Sequence, residues 1–137
     1  MPQRRVHLDV AHLKPEVHII KMAQGASDLF FRAWVQARVD GIVVEGSGGG
    51  NVNRPFYDGV CAAIDAGIPE VAGLRLPSGA PHAGKGYAGS FQSMLNKGAL
   101  SAGFLSGLKA RILLMVALAH TQDRRQLQDI FRQAGGG

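Results

Sequence analysis

The residues best placed to do chemistry lie in one short run. Gly46-Ser47-Gly48-Gly49-Gly50-Asn51 follows Ile42-Val43-Val44 after the single residue Glu45 and precedes a helix that starts near Asn53 or Arg54. The apolar triplet reads as a strand buried on both faces of a parallel sheet. Strand, glycine loop, helix is the layout of a phosphate cradle. The dinucleotide pattern G-x-G-x-x-G, however, needs glycine where Asn51 stands, and no G-K-[ST] follows, so a P-loop is absent. What the run does offer is a backbone that a ligand or another chain can approach closely. Asn51 adds an amide that both donates and accepts, and Ser47 adds a hydroxyl. Ser47, Gly50 and Asn51 are therefore the candidate substrate-binding residues, Asn51 foremost. The plain alternative is a tight strand-to-helix turn in which Asn51 caps the helix that follows.

Other chemistry is thin. The histidines are His7, His12, His18, His82 and His120; none has i, i+4 metal spacing, and the single cysteine, Cys61, has no metal-spaced partner. No metal and no cofactor are expected. His18 falls inside a strand-like run, and His82 belongs to an exposed loop with Lys85 and Tyr87. The serines form no G-x-S-x-G elbow. Thr121 is the only threonine and is expected to cap the last helix; Cys61, next to Val60, reads as a small core residue. No triplet of acid, base and nucleophile assembles, so no catalytic residue is assigned.

The elements that must hold the loop follow from periodicity. Val17–Met22 is short and β-rich. Asp28–Val39 repeats apolar residues at helical spacing, with Ser27 or Asp28 near its N-cap and Asp40-Gly41 as its stop. The helix after the glycine loop carries Pro55 in its first turn and Gly67 as its C′ residue. Glu70–Leu76 is a third strand, Pro77–Ser90 a long loop, Leu105–His120 a nearly all-apolar and hence central helix, and Asp123–Gln133 the last helix. Alternating strands and helices imply right-handed βαβ crossovers and a small parallel sheet in a three-layer α/β/α, Rossmann- or flavodoxin-like arrangement. Ligands of such sheets bind beyond the carboxyl ends of the strands, where this chain places its glycine-bearing loops.

With 137 residues, 46% hydrophobic and 18% charged, the chain fits one domain with residues 1–14 as an N-terminal extension and 135–137 as a disordered tail. A single cysteine rules out an internal disulfide, and no run reaches the roughly 18 apolar residues of a membrane span. The start lacks an apolar signal-peptide core, which points to the cytoplasm. The net charge is +5. Between Val71 and Gln122 there are Arg75, Lys85, Lys97, Lys109 and Arg111 and no acid, but the cations are dispersed and lack interleaved aromatics, so neither nucleic acid nor membrane is an expected partner.

Four stretches together resemble the C-terminal domain of the bacterial L-asparaginase/glutaminase family. Asp40-Gly41-Ile42-Val43-Val44-Glu45-Gly46 with Gly48, Gly50 and Asn51 resembles its strand and G-x-G-N loop. Ala66-Gly67-Ile68-Pro69 with Val71 is similar to its G-I-P-V-V strand entry. Arg75-Leu76-Pro77-Ser78-Gly79 resembles its R-x-P-x-G loop, and Leu108–Met115 its K-A-R-x-L-L helix. The match runs from Val17 to the last helix.

The resemblance implies hydrolysis of the amide of L-asparagine, with L-glutamine as a second substrate. It also implies that this chain does not perform that reaction alone. The family's catalytic threonines lie in T-G-G-T-I and T-D-T motifs of an N-terminal domain, and this sequence holds neither. Asn51 matches the loop asparagine that contributes to a neighbouring subunit's active site. An acid used by some members has no counterpart between Ala80 and Ser90, where Gly86 stands near its place. The expected partners are further copies of the chain, a separate catalytic N-terminal domain and the amino acid itself. The alternatives are a stand-alone module that binds an amino acid or a protein, and a dimerisation domain without ligand.

Overall fold

The computed structural model describes residues 5–74 and 87–136. Its elements are β1 (Val17–Lys21), α1 (Leu29–Ala37), β2 (Gly41–Gly46), α2 (Arg54–Asp65), β3 (Glu70–Leu74), α3 (Phe91–Lys97), β4 (Leu100–Ser101), α4 (Gly107–His120) and α5 (Arg124–Gly135). All pairings are parallel and the strand order is β1-β2-β3-β4.

That monotonic order decides the layering. Three successive right-handed crossovers in one direction place α1, α2 and α3 on the same face. The other face is left to α4 and α5, which return beneath the sheet. Strand alternation sorts the core accordingly. Ile19, Val43, Val71 and Leu100 are register neighbours and pack with Leu114, Leu127 and Phe131 of α4 and α5. Val44 and Ala72 pair on the opposite face and pack with Phe31, Phe56, Val60 and Met94 of α1 to α3. The expected three-layer α/β/α fold is thus the observed one.

Helix starts follow side-chain chemistry. The Asn53, Ser90, Ser106 and Asp123 side chains accept from Phe56 N (2.9 Å), Ser93 N (3.0 Å), Lys109 N (3.3 Å) and Gln126 N (2.9 Å). Thr121 therefore does not cap the last helix. It sits between the two, its Oγ1 accepting from Asp123 N and donating to Gln126.

Several expectations are corrected. Between the expected loop Pro77–Ser90 and the expected helix from Leu105, where the sequence pattern predicts no element, the structure has α3 and the short β4. The helix over 107–120 is not central: Leu108 is 71% and Ile112 60% exposed, while Ala110, Leu114 and Ala117 face the sheet. Gly135 is no frayed tail. It is buried as the last residue of α5, and its carbonyl accepts from Phe104 N at 3.0 Å. Cys61 is half-exposed, not a core residue. Residues 5–14 lie along α4, where Lys14 N donates to Met115 O at 3.2 Å and Val6 and Leu8 pack on the core.

Candidate functional site

β2 delivers its loop to the carboxyl edge of the sheet. The loop folds back on itself: Ser47 N donates to Asn51 O and Asn51 N to Ser47 O, both at 2.8 Å, and Gly50 N donates to Ser47 O at 3.0 Å. This closure needs glycine. Gly48 and Gly50 take φ of 56° and 103°, and a Cβ on Gly46 would overlap the Gly50 carbonyl. Gly50 is consequently buried and acts through its backbone alone, whereas Ser47 and Asn51 are half-buried at the edge. The Ser47 hydroxyl donates to Asn51 O at 3.4 Å, and no described His, Asp, Glu or Lys side chain bonds to it.

The loop is tied to the segment before α3. Val52 N donates to Gly89 O at 2.7 Å. Asn51 Oδ1 accepts from Phe91 N, the first residue of α3, at 3.0 Å. So Asn51 does cap a helix end, but that of α3 and not the adjacent α2, whose start belongs to Asn53. Asn53 also donates through Nδ2 to Ala26 O at 3.0 Å, joining the loop after β1 to the same edge. No described residue accepts from Nδ2 of Asn51. Two asparagines stitch together the three loop segments described at this edge.

Residue types alone do not single out Glu45, the last residue before Gly46, as a candidate for the site. Its side chain is only 8% exposed, and its Oε2 has no hydrogen-bond partner. Lys21 Nζ stands 3.8 Å away, and the carboxyl group lies against Gly107, the first residue of α4, where any Cβ would overlap Oε1. A cation and a helix N-terminus thus put positive charge beside a buried acid at the carboxyl edge. The signal that could have found it is a lone acid closing an apolar strand, I-V-V-E-G.

Arg75–Gly79, His82, Lys85 and Gly86 lie outside the described residues. His18 is on β1, stacked on Trp34 with ring centroids 5.4 Å apart and 3.0 Å from Glu16, and is not drawn into the glycine edge.

A parallel sheet whose carboxyl edge carries a pinned carboxamide and a folded glycine loop defines a three-layer α/β domain. Its match is with the glutaminase/asparaginase C-terminal domain, over residues 16–131, and the chain belongs to that family. It is 36% identical over 127 residues to L-asparaginase 2 of Escherichia coli (strain K12), covering 91% of this chain and 35% of that protein. L-asparaginase 2 of Bacillus subtilis (strain 168) is 33% identical over 119 residues, 87% of this chain and 30% of that protein. L-asparaginase of Bacillus licheniformis is 32% identical over 120 residues, 85% of this chain and 37% of that protein. The chain spans about a third of the length of these curated relatives.

Proposed function

We propose that this domain supports hydrolysis of the L-asparagine amide, and secondarily that of L-glutamine, by completing the active site of a catalytic domain that its own sequence does not contain. The observation that carries this reading is the division of labour within Asn51. Its oxygen is engaged by Phe91 N–H, which fixes the carboxamide at the carboxyl edge, and among the described residues nothing accepts from its NH2, a positioned donor. The sheet order supports the same reading. In doubly wound sheets the binding crevice forms where strand order reverses. Among the described residues the order β1-β2-β3-β4 has no reversal, which favours a second protein surface as the other wall.

The test is ammonia release from L-asparagine. The purified chain alone is expected to show no turnover above blank, since it lacks the T-G-G-T and T-D-T motifs. Mixed with a catalytic N-terminal domain of the family, it should restore turnover. Asn51→Asp, which keeps the pinned oxygen and removes the NH2, should cut that turnover by roughly tenfold or more without weakening the mixture's assembly. Turnover by the chain alone, or an Asn51→Asp variant as active as wild type, would overturn the reading.

A further inference from the structure

At the opposite, amino-terminal edge of the sheet, Glu70 opens β3 at 1% exposure. It pairs with Ile42 and shares a sheet face with Ala72, in the apolar layer under α2 and α3. Neither carboxyl oxygen has a hydrogen-bond partner, and burial pushes the group well above the usual carboxylate range. Beside it is a cavity of about 170 Å³ that Ile64, Gly98, Gln122, Leu127 and Arg124 also line. Arg124 brings the one cation of that lining. Its Nε donates to Gly98 O at 2.8 Å and its Nη2 to Ala99 O at 3.4 Å, both carbonyls of the turn between α3 and β4.

Four acids on or beside the elements packed around Glu70 have partners of their own. Asp65 at the end of α2 pairs with Lys97 of α3 at 2.7 Å, and Asp58 pairs with Arg54. Asp40, just before β2, accepts from Glu16 N, and Asp123 caps α5.

We propose that Glu70 and Arg124 form a proton-operated latch: while Glu70 holds its proton, Arg124 clamps the α3–β4 turn, and when Glu70 ionises the guanidinium turns into the cavity to pair with it. A lone carboxylate in apolar surroundings is costly unless paired and hydrogen-bonded, and a guanidinium meets a carboxylate with two parallel bonds. Arg124 now holds two neutral carbonyls, one at long range, which a charged acceptor in a low dielectric outcompetes. The cavity supplies the room. Releasing the turn frees the carboxyl end of α3, a seven-residue helix whose first N–H is the one bound by Asn51. The latch therefore reaches the opposite edge through a single short element. It stands on Glu70 and Arg124 and does not depend on the proposed activity.

The sign follows from linkage. A carboxyl raised in the folded state gives stability that is complete below its unfolded pKa and is lost as pH rises through the folded value. If Arg124 receives the carboxylate, it lowers that folded value, and removing the cation extends the loss to higher pH. Urea midpoints of the full chain are to be measured from about pH 4 to about pH 10. Wild type should show a descending step that Glu70→Gln lacks. In Arg124→Gln the step's upper end should move up by about one pH unit or more. Nitrogen NMR of Arg124 Nε–H in wild type should change over the same pH range and stay constant in Glu70→Gln. Coincident steps in wild type and Arg124→Gln, a step that survives in Glu70→Gln, or an unresponsive Nε–H each overturns the latch. Should Arg124→Gln fail to fold, Arg124→Lys with the Nε–H titration of wild type decides it.

Discussion

Asn51 and Asn53 lie two residues apart and both bind the first turn of a helix, yet only one of those helices is their own neighbour. Asn53 caps α2, as its place before Arg54-Pro55 suggests, and Asn51 reaches Phe91 across 40 residues of chain. Local pattern could reveal the first bond and not the second, because the second depends on α3 being delivered to the edge by β3 and its long connection. Removing either side chain leaves an N–H at a helix start without its acceptor. Asn51→Ala and Asn53→Ala should each lower the unfolding free energy by about 0.5–2 kcal/mol. Asn53→Ala should sit at the upper end, since it also loses the bond to Ala26 O. Asn51→Asp keeps Oδ1 and should stay close to wild type. Urea denaturation of the four proteins side by side checks this, and a destabilised Asn51→Asp would mean that the NH2 also serves the fold. The glycine loop, its candidate residues Ser47, Gly50 and Asn51, and their position after β2 were legible from residue types alone. That Gly50 is buried and works only as backbone was not, because it depends on the closure of Ser47 onto Asn51.

At the scale of elements, the legible ones were those long enough to show a period. β1, β2, β3, α1, α2 and α5 emerge from apolar spacing and from their punctuation by Gly41, Pro55 and Gly67. α3 did not, because a helix of seven residues with buried Phe91 and Met94 completes too little of a turn pattern, and the two-residue β4 is shorter than any alternation. α4 was found but misplaced: an apolar count shows that a helix has much to bury without showing on which side. The structure shows what seats it. Its first residue, Gly107, lies against the buried Glu45 carboxyl, and the Gly41 backbone lies under Leu114. Gly107→Ala should force α4 off β2 and destabilise the domain by about 1–3 kcal/mol, the usual cost of overpacking. The clash has one partner, so Glu45→Ala combined with Gly107→Ala should lose less than the sum of the single changes. Thermal or urea unfolding of the two singles and the double measures that coupling. Strict additivity would show that Gly107 is needed for its backbone and not for the room it leaves.

For the molecule as a whole, the segment entering α4 and the helix itself present an apolar stripe that the described residues leave exposed. Phe104, Leu108 and Ile112, four residues apart, are 45%, 71% and 60% exposed, and Ile112 also lines a groove of about 480 Å³ against Val6 and Leu8. Scattered apolar residues on a surface need no explanation, but a stripe continuous with a groove marks a contact surface. Self-association through this stripe is the expected outcome when the domain is alone in solution. Two copies meeting about a two-fold axis would set α4 against α4. Arg111, whose Nε donates to the neutral Val17 carbonyl at 2.6 Å, lies beside the stripe, and no acid occurs between Val71 and Gln122, so such a contact brings like charges together. Screening weakens that repulsion. The association should therefore tighten with added salt, opposite in sign to an interface held by ion pairs. Sedimentation at micromolar concentration in low and high salt provides the measurement. Wild type should shift toward dimer or larger as salt rises, and Leu108→Lys with Ile112→Lys should remain monomeric throughout. A wild-type chain that is monomeric at every salt and concentration would assign the stripe to another protein, and the catalytic domain missing from this sequence would be the first to try.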